Sequence, residues 1–201
     1  MDEKRNKVFS RTSVFFICFI GFLCRFYQLG DPGLIGDELI TAFRVDRPFI
    51  EAIDLLRHSS FPPLYYVLLN LWVSIFADSE WSLRFISASF SGLTVFVVYK
   101  LGKELFGRQV GLFAAAVLAL SSFNINFAQT AKPYGLFWFL TSLSFLFFFR
   151  YVKDGSNRAF ICYLWISVFS CYTMYAGYLL LLTQNIMLLV LRNQWGWRKW
   201  L

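Results

Sequence analysis

Long apolar runs, broken by short polar clusters, set the pattern of this chain. A helix needs about 20 mostly apolar residues to cross the hydrocarbon core of a bilayer. We therefore predict an all-α fold, a polytopic transmembrane helical bundle. The six predicted spans lie at about 12–29, 84–101, 109–127, 134–151, 159–175 and 176–192.

A further apolar run, residues 62–77, is shorter than a span. It has 16 residues and begins with Pro62 and Pro63, which suit a helix start because their missing N–H groups would have no partner there. Such a run could cross the membrane or lie in its interface, and length alone does not decide between the two.

Positive charge decides where this run lies. If the run lies in the interface, or enters the membrane and returns to the same side, the side that holds the N-terminus carries 13 of the 19 Lys and Arg residues. If the run crosses the membrane, the side that holds the N-terminus carries only 6. Short cytoplasmic loops carry an excess of Lys and Arg. We therefore predict that the run is interfacial or re-entrant and that the N-terminus is cytoplasmic. The four cytoplasmic segments are 1–11, 100–108, 150–158 and 192–199.

The same layout makes residues 30–83 a large external loop. Eight of the twelve acidic residues then face the exterior. Part of the loop alternates apolar and charged positions at helical spacing, which predicts a juxtamembrane helix lying on the membrane surface. Its apolar positions are Phe49, Ile53 and Leu56, and its charged positions are Glu51, Asp54 and Arg57.

Composition agrees with a membrane protein. The chain is 58% hydrophobic and 15% charged, with a mean hydropathy of +0.55, which excludes an ordinary soluble domain. The net charge of +7 sits in small clusters between apolar runs, so it follows membrane topology and does not indicate a nucleic-acid partner. The four cysteines lie inside apolar runs without metal-site spacing. We expect no metal and no cofactor.

The stretch LGDPGLIGDELITAF places Asp37 and Glu38 side by side at the start of an amphipathic pattern. Carboxylates at a helix start cap its free N–H groups and interact favourably with its dipole, so the pair could serve local structure. A carboxylate at a membrane surface could instead act as the general base on an incoming hydroxyl. Both interpretations fit the local sequence.

Three cationic or titratable residues near the predicted outer surface are further candidates. Lys132 is the only cation of the short external link NFAQTAKPYGL, and it could bind a phosphate or anchor the chain in the interface. Arg84 enters a span from outside and could snorkel or pair with Glu80. His58 is the only histidine, and a lone surface histidine is usually incidental.

The order of the motifs resembles the N-terminal part of the GT-C membrane glycosyltransferases. The branch concerned holds the protein O-mannosyltransferases, the lipid A aminoarabinose transferase and related bacterial transferases of the glycosyltransferase-39 type. The resemblance covers roughly residues 12–150. It is carried by a basic start, a first span ending in Arg, GDE in the first external loop, and then PPLYY, SxxR, YKLGKELFG and AQTAKPYGL.

The resemblance implies a membrane glycosyltransferase that works with lipid-linked sugars. Such enzymes move a sugar from a polyprenyl-phosphate carrier to an acceptor hydroxyl on a lipid, glycan or protein, usually with inversion at the anomeric carbon. The active site faces the non-cytoplasmic side, here of the plasma (inner) membrane. The expected partners are thus the donor, the acceptor and the lipid bilayer.

The resemblance also implies roles for individual residues. Asp37 would deprotonate or orient the acceptor hydroxyl, and Glu38 completes the acidic pair. Lys132 and Arg84 would stabilise the leaving phosphate. The remaining substrate-binding candidates are His58 and Tyr134.

The chain departs from the family pattern at two positions and in length. Phe61 stands where many relatives have His before the PP pair, and Thr130 stands where others have Glu. Relatives continue through further spans, so we expect residues 1–201 to be an N-terminal part of such an enzyme.

Two other classes of protein fit part of the pattern. A transporter or flippase of lipid-linked sugars should carry ionisable residues in the middle of its spans, and the second to sixth predicted spans have none there. A truncated, non-catalytic membrane protein is the other alternative. The acidic residues at the external mouth favour the enzyme.

Overall fold

The computed structural model describes residues 2–31, 33–57, 62–76 and 78–191, and the side chains of all of these except 2–11, 53, 55–57 and 191. These residues form ten helices and no strand, which confirms the predicted all-α membrane bundle. The helices are α1 (Asp2–Phe26), α2 (Asp37–Val45), α3 (Phe49–Arg57), α4 (Leu64–Phe76), α5 (Glu80–Phe106), α6 (Arg108–Ala119), α7 (Ser122–Ala128), α8 (Tyr134–Asp154), α9 (Asn157–Thr173) and α10 (Ala176–Leu191).

Two of the described helices, α5 and α8, are each long and apolar enough to cross a membrane. The pair α6 and α7 passes the same test together but is bent by 59°, so the described residues hold two such spans, or three with the bent pair. The shorter apolar helices are Thr12–Phe26, Leu64–Phe76 and Ala176–Val190. The six spans, and the interfacial position of 62–77, therefore stay predictions.

The predicted span 109–127 is a bent pair and not one continuous helix. The Ser121 side chain caps α7 by accepting a hydrogen bond from the Asn124 N–H, so a new helix begins there. The carbonyls left over at the end of α6 also have a partner, because Arg25 of α1 donates to Leu118 O at 3.1 Å and Ala119 O at 3.2 Å. The break is therefore stabilised from both sides.

Helix α5 lies at the centre of the bundle and packs against α1, α6 and α8. Its approach to α8 is close enough to require glycine. A Cβ atom added to Gly135, in the first turn of α8, would lie 2.1 Å from the Ser87 carbonyl oxygen of α5. The start of α8, and the segment just before it, is therefore held tightly against α5.

The helices of the predicted external loop pack over one end of this bundle. Tyr65 and Leu69 of α4 lie in one apolar cluster with Leu83 of α5 and Leu136 of α8, and α2 adds Val45. A helix does form over 49–57, as the pattern predicts. Its position on a membrane surface stays a prediction, and the side chains of several of its residues lie outside the described part.

Candidate active site

Asp37 is the first residue of α2 and points into solvent. The helix is preceded by its N-cap residue Gly36, whose φ of 54° favours glycine and which has no side chain to cap the helix. The Asp37 side chain is 82% exposed. Its carboxylate still lies at the positive end of the helix dipole, but it makes no capping bond. Glu38 makes the side-chain contact at this helix start, because its Oε2 accepts a 3.5 Å hydrogen bond from the Ile35 backbone N–H just before α2.

Glu38, the next residue, is buried and bonded from two sides. Its carboxylate accepts two hydrogen bonds from the Arg84 guanidinium, at 3.0 Å from Nε and 2.8 Å from Nη2. It accepts a third from the Ala131 backbone N–H at 2.7 Å. Glu38 is 7% exposed and Arg84 2% exposed. One carboxylate therefore joins the start of α2 to α5 and to the link between α7 and α8.

Arg84 is enclosed by these contacts. Besides Glu38, it donates to the carbonyl oxygens of Leu29 at 3.0 Å and Gly33 at 3.3 Å. The close ion pair of Arg84 is with Glu38, at 2.8 Å, and the charge of Glu80 acts on Arg84 as well. Its guanidinium holds the chain before α2 in place and is almost fully shielded from solvent.

The environment of Glu38 keeps it ionised. Burial alone would raise the pKa of this carboxyl, but the hydrogen bonds from Arg84 and from the Ala131 N–H outweigh it and lower the pKa. A carboxylate that stays charged and enclosed is suited to holding neighbouring segments together. Asp37, in contrast, is the member of the pair that is open to solvent.

Lys132 lies beside Asp37, as a result of the Glu38 bridge. The hydrogen bond from the Ala131 N–H fixes the residue that precedes Lys132, and the Lys132 ammonium then lies 3.8 Å from the Asp37 carboxylate. Burial lowers the pKa of Lys132, the charge of Asp37 opposes this shift, and the charge of Arg44 adds to it. The site thus pairs an exposed acid with a largely enclosed cation.

Two tyrosines and an arginine complete the surroundings. The Tyr134 ring, at the start of α8, contacts the Phe127 ring edge-on with centroids 4.9 Å apart. Arg44 of α2 lies with its Cζ 5.6 Å from the Tyr66 ring centroid and shares a side-chain hydrogen bond with Tyr66. Sequence reasoning missed Arg44. The available signal was its spacing of seven residues from Asp37, which places both on one face of a helix.

The structure brings together four of the six predicted site residues. Asp37, Glu38, Arg84 and Lys132 lie at one end of the bundle, with Tyr134 close by on α8. His58 lies outside the described residues. Within the described ranges, no group of three or more His, Cys, Asp and Glu could hold a metal ion.

Residues 60–201 match the model of a protein family described as dolichyl-phosphate-mannose-protein mannosyltransferase. With the helical bundle, this match defines a membrane glycosyltransferase of the GT-C type. The chain belongs to the dolichyl-phosphate-mannose-protein mannosyltransferase family, which confirms the resemblance seen in the sequence. No curated protein and no solved structure matches the chain. The match includes Arg84, Lys132 and Tyr134, whereas Asp37 and Glu38 precede it.

Proposed function

We propose that this membrane glycosyltransferase transfers a sugar from a polyprenyl-phosphate carrier to an acceptor hydroxyl on the non-cytoplasmic side of the plasma (inner) membrane. The observation that carries the proposal is the pairing of exposed Asp37 with Lys132 at 3.8 Å. A proton acceptor and a cation next to each other are what such a transfer needs, because one receives the proton and the other opposes the leaving negative charge.

The reaction proposed for this pair is an inverting displacement. The acceptor oxygen attacks the anomeric carbon while its proton passes to the Asp37 carboxylate. The bond between the anomeric carbon and the phosphate oxygen breaks, and its electrons stay on the polyprenyl phosphate, which leaves as an anion. Lys132 stabilises that anion electrostatically, as preorganised charges do for developing negative charge. The acceptor is the hydroxyl of a lipid, glycan or protein.

Glu38 and Arg84 support this site as positioning residues. Their paired charges hold the start of α2 against α5, and the third contact of Glu38 holds the residue before Lys132. The distance between Asp37 and Lys132 depends on both anchors. In this proposal Arg84 acts through Glu38 and does not itself contact the phosphate.

The experiment replaces Asp37 by Asn in the whole protein and measures release of polyprenyl phosphate from polyprenyl-phosphate mannose in the presence of acceptor. Asn keeps the shape of the side chain and is about as good at a helix start, but it cannot take a proton at neutral pH. We expect the rate to fall by about 100-fold or more, the scale of a lost general base. Protein yield and thermal stability should remain near those of the unaltered protein.

The matched control is Asp46→Asn, which removes an exposed carboxylate at the opposite end of the same helix. Its rate should stay within about twofold of the unaltered protein, since surface substitutions away from a site have small effects. A rate for Asp37→Asn within a few-fold of that control would overturn the assignment of the general base. The acidic pair would then serve local structure.

A further inference from the structure

The side chain of Gln129 caps the end of the first helix. After α1 the chain turns at Gln28, whose φ of 53° lies in the left-handed region. The last carbonyl groups of a helix have no partner within that helix, and the Gln129 amide supplies donors to them. Its Nε2 donates to the carbonyl oxygens of Tyr27 at 2.8 Å and, more weakly, of Cys24 and Arg25 at 3.4 Å each. All three neighbours are acceptors, so the amide is held with its N–H groups toward α1.

Gln129 also begins the link that leads to Lys132. It is the C-cap residue of α7, and its backbone N–H donates to Ile125 O at 3.0 Å. Lys132 follows three residues later, so the link between them spans at most about 10 Å. Within the link, the Thr130 hydroxyl donates to Phe127 O at 2.8 Å, and the Lys132 N–H donates to Thr130 O at 2.8 Å. Because the link is short and internally bonded, a shift of Gln129 would also shift Lys132.

The turn after α1 is held by Arg84 as well. Arg84 donates to Leu29 O at 3.0 Å, two residues beyond the carbonyl that Gln129 contacts most closely. Leu29 is 2% exposed, so this turn is enclosed by the protein. Through its pair with Glu38, Arg84 also places the start of α2, which carries the exposed acid of the site. Residues 27–29 are thus a common base for the acid and the cation.

We propose that Gln129 is a positioning residue for the sugar transfer, because it fixes the Lys132 ammonium relative to the Asp37 carboxylate. This inference rests on the proposed function, in which Lys132 opposes the charge of the leaving phosphate. A misplacement of about 1 Å in a catalytic site can cost on the order of 100-fold in rate. The negative charge on the phosphate grows as its bond to the sugar breaks, so a well-placed cation acts most strongly in the transition state.

The experiment measures kcat and the donor KM of the whole protein in lipid nanodiscs, with polyprenyl-phosphate mannose and acceptor. Gln129→Met keeps the length of the side chain and removes its N–H donors. We expect kcat to fall about tenfold while the KM for the donor stays within about threefold, since the lost interaction is made mainly in the transition state. The matched control, Gln109→Met, makes the same change at an exposed position in the first turn of α6 and should alter kcat less than about twofold.

A second background separates positioning from a merely structural role. Lys132→Ala leaves no ammonium to place, so adding Gln129→Met to it should lower kcat by less than about twofold. A structural role would lower kcat by the same factor in both backgrounds. Thermal unfolding shows whether each variant is folded. If Gln129→Met does not fold, Gln129→Asn replaces it, because this change keeps the amide on a shorter side chain, and its smaller loss of kcat should also disappear in Lys132→Ala.

Three results would contradict the proposals in distinguishable ways. If Lys132→Ala lowers kcat but Gln129→Met stays within about twofold of Gln109→Met, the role of Gln129 is overturned and the proposed function stands. If Gln129→Met lowers kcat equally with and without Lys132, Gln129 acts independently of this cation, and the inference is also overturned. If Lys132→Ala leaves kcat unchanged, Lys132 does not have the role that the proposed function gives it, and the inference falls with it.

Discussion

Lys132 is the residue whose loss of a proton should be easiest to detect in solution. Burial, above all, lowers its pKa, so its ammonium loses the proton at a lower pH than a free lysine. In the proposed function the charged form of Lys132 binds the phosphate, and this form exists below the pKa. We therefore expect affinity for the lipid phosphate to fall as the pH rises through the lowered pKa of Lys132.

This prediction can be checked by measuring the dissociation constant of undecaprenyl phosphate against pH for two variants. Lys132→Arg stays charged at every accessible pH, so its affinity should remain nearly constant where that of the unaltered protein falls. Lys132→Ala should bind more weakly than Lys132→Arg at neutral pH. Identical pH profiles for the unaltered protein and Lys132→Arg would show that the lysine charge does not contact the ligand.

At the scale of residues, sequence reasoning found most candidate side chains but not their partners. The acidic pair and Lys132 stood out because charges are rare in this chain. The different environments of Asp37 and Glu38 could not be predicted from the sequence. Glu38 contacts Arg84, which is 46 residues away in the chain, and Ala131, which is 93 residues away. Arg44 was not predicted as a site residue because the sequence does not show that α4 places Tyr66 beside it.

At the scale of elements, Arg25 is the contact on which the bent pair depends. It is fully buried and donates to the Ser91 hydroxyl at 2.8 Å, to the Asn124 side chain and to the last carbonyls of α6. These acceptors are uncharged, and the carbonyls are the negative end of the α6 dipole. Arg25 thus joins α1 to α5, α6 and α7.

We predict that Arg25→Met lowers the free energy of unfolding by about 3 kcal/mol or more, because several buried polar groups lose their partner at once. Arg25→Lys should have a free energy of unfolding between those of Arg25→Met and the unaltered protein, since one ammonium reaches fewer of these acceptors. Thermal unfolding in detergent gives the comparison. Arg158→Met, at an exposed position in the first turn of α9, is the control and should change stability little. Equal stability of the two Met variants would contradict this account of the break.

The helices themselves were largely predictable, and the break was not. Apolar length predicted the regions of α5 and α8, because a span has to bury its backbone polar groups within itself. The run 109–127 is equally apolar, so its pattern predicts one helix. The break arises from the Ser121 cap and from Arg25, which is more than 90 residues away in the chain.

At the scale of the whole molecule, ion pairs lie at both ends of the bundle. Asp37, Arg84 and Lys132 come from three distant segments and meet at one end of the bundle. The ion pair of Glu104 and Arg150, at 2.9 Å, joins α5 and α8 near their other ends. Which end faces the cytoplasm stays a prediction that rests on the excess of Lys and Arg in the loops.

Cysteine labelling in intact cells tests that prediction. In a variant whose four native cysteines are replaced, Asp31→Cys should react with a membrane-impermeant maleimide added outside. Asn157→Cys should react only after the membrane is opened, because both positions are exposed but lie on opposite sides in the predicted layout. Reaction of both positions from the same side would show that the predicted topology is wrong.

The bridge made by Glu38 has a consequence for the order in which the molecule can be built. A ribosome makes Glu38 before Arg84, which follows 46 residues later, and long before Ala131, which follows 93 residues later. An ionised carboxylate cannot enter hydrocarbon without a partner. In the predicted layout, the start of α2 therefore stays in water at the membrane surface until these partners have been made. It can close over the bundle only after α5 and the segment before α8 have been made, so the candidate site assembles later than the helices that precede α8 in the chain.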